Sequence, residues 1–181
     1  MPIRSTWRYL ASLARLNIGA MLARPVLAVS SAAMMFANNL IFFLVWVIYF
    51  ANFSSLRGWG REDLALLIGI VAWGFGLTIF LVGGARDLAR TIVEGGLDLY
   101  LGRPRHPLPA LLMTRCGPAG LGDMASALVF WLFLAGRGPG DLPLLLLVAT
   151  SAAVILAASW TVIQCLVFWR PGALPLWHVW S

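Results

Sequence analysis

The sequence predicts an all-α, polytopic helical membrane protein, and two observations carry that prediction. Four long apolar runs, Pro25–Phe50, Leu64–Gly84, Gly120–Gly136 and Leu142–Trp169, alternate with segments that hold nearly all of the charge. Hydrophobic residues make up 61% of the chain and charged residues 11%, where a soluble domain carries about 25% charged residues. A helix needs about 20 apolar residues to cross a hydrocarbon core of roughly 30 Å, with about 17 as the short limit. Three runs meet that length easily and the third lies near the limit. Lipid offers no hydrogen bonds, so only helices and closed barrels satisfy the backbone there. Barrel strands are short and alternating, whereas these runs are apolar on all sides.

The first element is a helix over residues 3–22. Arg4, Arg8, Ser12 and Arg15 fall on one side of its wheel and Leu10, Leu13 and Met21 on the other, with Thr6 and Asn17 interrupting the apolar face. The pattern is that of an interfacial amphipathic helix with arginines toward anionic headgroups of membrane lipids. Pro25 then breaks into the first span. That span carries Asn38 and Asn39 at mid-depth, where amides face neighbouring helices, and closes on Trp46, Tyr49 and Phe53 as an interfacial aromatic belt. Glu62 and Asp63 suit the positive N-terminal end of the second span, and its glycines 69, 74, 76, 83 and 84 permit close helix approach.

The longest polar segment, 85–115, follows. Residues 85–94 read as a sided helix: Leu88, Ala89, Ile92 and Val93 are apolar, opposite Arg86, Asp87, Arg90 and Glu94. Gly95-Gly96 stops it, and residues 97–109 read as an irregular, proline-punctuated stretch. The third span starts late, after Gly117 and Pro118. Asp123 lies just inside it, where a carboxylate is costly unless paired or hydrated, and Arg115 is its nearest partner in sequence. A tight turn over 136–141 leads to the fourth span, whose polar interruptions are Thr161 and Gln164.

All thirteen basic residues are arginine. With the N-terminus inside, arginines 4, 8, 15, 24, 86, 90, 103, 105, 115 and 170 are cytoplasmic and only 57, 61 and 137 are external. Ten against three sets the orientation by the positive-inside rule, with both termini cytoplasmic. The net charge of +6 therefore reads as topology, and no nucleic-acid partner is expected. Cys116 and Cys165 have neither metal-ligand spacing nor a CxxC pairing. His106 and His178 are isolated, so no metal or cofactor site is expected. Without a lysine the chain cannot hold a Walker P-loop, and it has no HExxH or GxSxG. Energy for transport must come from another chain or an ion gradient. A lipid-acting enzyme would need Asp87, Glu94, Asp98 and His106 to converge, yet helical spacing spreads Asp87 and Glu94 along a solvated face. The remaining rival is a small membrane-embedded assembly or anchoring subunit with no transport pathway of its own.

Two loops carry a resemblance. The outer one reads Gly58-Trp-Gly-Arg-Glu-Asp63 and the inner one Gly96-Leu-Asp-Leu-Tyr-Leu-Gly-Arg-Pro104. In those places the chain resembles the ABC-2 transporter permeases of the branch with a GWxREE outer and an xGxLDxYLLRP inner loop, with Asp63 standing where the family has Glu. Element order agrees over most of residues 5–170. The resemblance implies an ABC-2 type permease with an interfacial helix and four transmembrane helices in a bacterial plasma membrane. It would be an exporter subunit for lipids, drugs or organic cations, paired with a second permease and with ABC ATPase subunits. It also implies that the segment before Gly95, with Arg86, Leu88, Arg90, Ile92 and Glu94, couples to the ATPase. Asn38, Asn39, Asp123 and Gln164 are the intramembrane polar groups. Family members usually have six spans, so the chain resembles a C-terminally truncated copy or a fragment, with an apolar tail over 171–181 approaching a further span.

Overall fold

The computed structural model describes residues 3–52, 58–102 and 107–169, with side chains from residue 8 onward. Phe53, Arg57, Arg103, Arg105, His106, Arg170 and the tail with His178 lie outside the described residues. Every long element among those described is helical: α1 (Ile3–Leu22), α2 (Pro25–Asn52), α3 (Arg61–Val82), α4 (Leu88–Val93), α5 (Asp98–Leu101), α6 (Pro107–Leu112), α7 (Ala119–Val129) and α8 (Leu142–Cys165). Three stretches, Pro25–Asn52, Arg61–Val93 and Pro139–Phe168, are long and apolar enough to cross a membrane. The fourth expected span is apolar but shorter, Ala119–Leu134. It begins at Ala119, directly after Pro118, as the glycine- and proline-rich lead-in predicts, because proline suits the start of a helix and not its interior.

Local signals set these boundaries. Asp63 in the first turn of α3 accepts the Gly60 N–H at 3.0 Å, which satisfies a donor that the helix leaves open. α7 runs into a π-helical turn, Phe130–Leu134, where the Ala135 N–H bonds the Phe130 carbonyl at 2.8 Å. Gly136, at φ 61°, ends it. Corrections concern the polar segment. Residues 85–94 are not one helix, because a 3-10 turn over Gly83–Asp87 precedes the six-residue α4. The stretch expected to be irregular folds into the short helices α5 and α6.

The chain divides into two compact units, residues 25–80 with 118–156, and residues 1–24 with 81–117 and 157–181. In the first unit α2 packs along α7. Consecutive aromatics at the end of that helix reach two different clusters. Trp131 sits with Ala72, Ala127, Leu145 and Ala149, and Phe130 with Phe43, Ala65 and Ala135. Both are 0% exposed. The Trp131 ring lies over Gly69, where any Cβ would collide with the indole, and its N–H points to the Leu66 carbonyl at 3.4 Å. Gly76 and Gly120 meet backbone to backbone, and Gly122 faces the Ala32 carbonyl. Without a water-driven hydrophobic effect between spans, such close approach supplies the packing.

The second unit holds α1, α4, α5 and α6. Its core is Ala85, Leu88, Ala89, Ala110, Leu111 and Val167. Asn17, which interrupts the apolar face of α1 in sequence, donates from Nδ2 to the Met113 carbonyl at 2.7 Å. Gly84 lies against the Leu111 carbonyl and the Thr114 hydroxyl with no room for a side chain.

Candidate functional site

Two places collect the expected polar residues. In the first unit, α2 presents Asn39 toward α7. Its Nδ2 donates to Asp123 Oδ1 at 2.7 Å and lies 2.8 Å from Ser126 Oγ. Ser126 Oγ in turn donates to the Asp123 carbonyl at 2.8 Å. Asp123 is 1% exposed and Ser126 is fully buried. A buried carboxylate in an apolar helix is expensive unless dipoles or donors meet its charge, and the Asn39 amide is one such donor. The expected partner was Arg115. Instead Arg115 Nη1 pairs with Asp87 Oδ2 at 2.8 Å within the second unit. Sequence proximity favoured Arg115, but helix packing decides which donor reaches a buried acid. Asn38, one position along, is exposed.

Asp123 and Asn39 also line a cavity of about 430 Å³ between α2 and α3. Phe42 and Trp46 from α2 and Val71 and Phe75 from α3 form its apolar sides. Phe42 and Trp46 meet edge to face at 6.5 Å, and Trp46 and Tyr49 at 5.9 Å. Trp46 and Tyr49 of the expected aromatic belt thus continue a ladder of rings from Phe42, and Trp46 and Phe42 face this groove, while Phe53 lies outside the described residues. That groove was not legible in the sequence, since it needs two spans far apart in the chain to come together.

In the second unit the expected coupling residues separate. Leu88 is 3% exposed and faces its own unit's core, so it presents no surface to a partner. Its neighbour Ala89 is buried as well. Arg90, Val93 and Glu94 are exposed and Ile92 is half-buried. Arg86 turns inward: its guanidinium lies 5.0 Å from the Trp160 ring centroid, and its carbonyl accepts from Gln164 Nε2 at 2.8 Å. Stacking on tryptophan is a favourable setting for a desolvated cation. Gln164 therefore ties down the backbone of the polar segment. Cys116, between α6 and α7, is half-buried, and burial pushes its thiol pKa up from the usual value. Among the described residues no three His, Cys, Asp or Glu side chains gather to hold a metal ion.

A family model described as ABC-2 family transporter protein matches residues 34–173, more than half of the chain. That range covers most of both places just described. No curated protein and no solved structure matches the chain. The chain therefore belongs to the ABC-2 family of transporter proteins.

Proposed function

We propose that the protein is the membrane-spanning permease subunit of an ATP-driven exporter in a bacterial plasma membrane, with both termini cytoplasmic. Membership of the family makes it a membrane component of transport and implies association with an ABC ATPase in general. The finer reading rests on one observation above the others. A chain without a lysine, and so without a P-loop, presents Arg90, Val93 and Glu94 together on the outward side of a short helix in its longest polar segment. That patch, with half-buried Ile92 at its edge, is the proposed receiver of the ATPase. It is charged and apolar together, the composition of a helix that beds into a groove. A second permease subunit, identical or related, completes the pathway in this reading. The positive-inside count supports the orientation.

Co-expression with the ATPase of the same transport system tests the docking role. Arg90→Glu with Val93→Asp should reduce co-purification at least tenfold while leaving membrane insertion and thermal unfolding of the permease unchanged. Normal co-purification and normal coupling of hydrolysis to transport would remove the segment from the interface and favour the anchoring-subunit alternative.

A further inference from the structure

In the middle of α2 the fold leaves one amide, Asn38, facing outward. We propose that this face of α2 is where two copies of the chain associate, in parallel about a two-fold axis, with the two Asn38 amides bonded across it. The proposal fixes the face and the identity of the second subunit, both left open in the permease reading above, and rests on that reading only for its role in transport.

Among the 28 residues of α2, Pro25–Asn52, only Phe43 is buried. Asn38 lies thirteen residues from the first and fourteen from the last, so roughly 20 Å of helix flanks it on each side at about 1.5 Å per residue. Its short side chain cannot reach an aqueous interface from there. No hydrogen bond joins it to another of the described residues. Hydrocarbon offers an amide neither donor nor acceptor, so leaving it open to lipid is costly. Asn39, one residue on, is answered inside the copy by Asp123 and Ser126. Asn38 has to be answered from outside it.

The residues around Asn38 form a seam. Met34, Asn38, Ile41, Val45 and Ile48 are spaced by four, three, four and three, and all five are exposed. A repeat of about 3.5 residues keeps two supercoiled helices in contact along their length. In that register Asn38 and Val45 hold a positions, and Met34, Ile41 and Ile48 hold d positions. One asparagine at an a position fixes the alignment and the number of strands, at some cost in stability.

Complementarity selects a second copy as the occupant. A carboxamide carries an acceptor oxygen and two N–H donors, so it is complementary to its own image. Copies inserted the same way in one membrane share their orientation. An axis along the membrane normal therefore sets α2 beside α2 in parallel, with Asn38 opposite Asn38. A two-fold interface presents the same patch from both sides, and α2 suits this because it holds no charged residue to meet its like. Lipid would cover the apolar members of the seam and leave the amide open.

Disulfide trapping in membranes, on the full chain lacking Cys116 and Cys165, tests the face. Met34→Cys, Ile41→Cys and Ile48→Cys should each give a dimer of the chain on mild oxidation. Val29→Cys, on the side of α2 opposite Asn38, and Val154→Cys on α8, both exposed, should give at least tenfold less. Sedimentation equilibrium in density-matched micelles measures the association itself. The wild type should be a dimer, Asn38→Leu should raise the dissociation constant at least tenfold, and Asn38→Gln should lose less. Because Asn38 is exposed, Asn38→Leu should leave the unfolding of a single chain unchanged. Trapping at Val29 or Val154 as efficient as at Ile41 would place association on another face and overturn the proposal. A wild type that sediments as one chain or as three, or a dimer indifferent to Asn38→Leu, would overturn it too. Trapping of Ile41→Cys only to a chain of different mass would give the face to an unlike subunit, with the same consequence. Neither measurement needs an ATPase, so their failure is separable from failure of the docking experiment on Arg90 and Val93.

Discussion

At Asn39 one amide links two helices of the first unit through Asp123 and Ser126. Interhelical hydrogen bonds in membranes contribute about 0.6 kcal/mol on average and up to about 2 kcal/mol. Asn39→Ala removes both contacts and leaves a buried carboxylate without this donor, so it should destabilise by about 1–3 kcal/mol. Unfolding in mixed micelles checks this. Asn38→Ala should be nearly neutral, since that side chain is exposed. The sequence shows two adjacent asparagines and cannot rank them, because neighbours on a helix point about 100° apart. Only the direction of α7 separates the structural amide from the exposed one. Cys116 carries a further residue-scale expectation. Its raised pKa keeps the neutral thiol, and the thiolate is the reactive form. Maleimide should label it more slowly than a free thiol near pH 7–8, with the rate catching up only at higher pH. Labelling at the free-thiol rate would show that the group is not buried.

Among the elements, the spans follow from composition, and their mutual fit follows from small residues. Gly69 makes room for the Trp131 ring, which is itself fully buried. Gly69→Leu should push that ring out of place and cost about 1–3 kcal/mol or more, as overpacking does. The glycines are plain in the sequence, but which aromatic they receive is not. The polar segment shows the opposite limit. Its apolar side was legible as Leu88, Ala89, Ile92 and Val93, but period alone does not say whether such a face meets a partner or its own unit. In the fold Leu88 is 3% exposed, directly after the Gly83–Asp87 turn that packs on α6. Leu88→Asp should therefore lower the yield of folded protein by burying a charge, rather than abolish docking selectively. Thermal unfolding of Leu88→Asp beside Arg90→Glu distinguishes the two: the first should be strongly destabilised and the second unchanged.

On the scale of the whole molecule, orientation is the open physical quantity. Ten of thirteen arginines favour one side when the N-terminus is inside, and the bias in short loops sets topology. A single cysteine at Gly102, on a background lacking Cys116 and Cys165, should be labelled by a membrane-impermeant maleimide only after the membrane is opened. Labelling from the outside of intact cells would invert the orientation. The sequence by itself determined that this is a helical membrane protein of the ABC-2 type. Apolar length, the absence of lysine and the two loop motifs are one-dimensional properties that survive any arrangement of the helices. Tertiary structure alone decided that Asp123 is met by Asn39 while Arg115 turns to Asp87, that Leu88 is core, and that α2 and α3 enclose a groove ending on an acid. Each of those depends on distance between residues remote in the chain, and hydropathy holds no information about which faces meet.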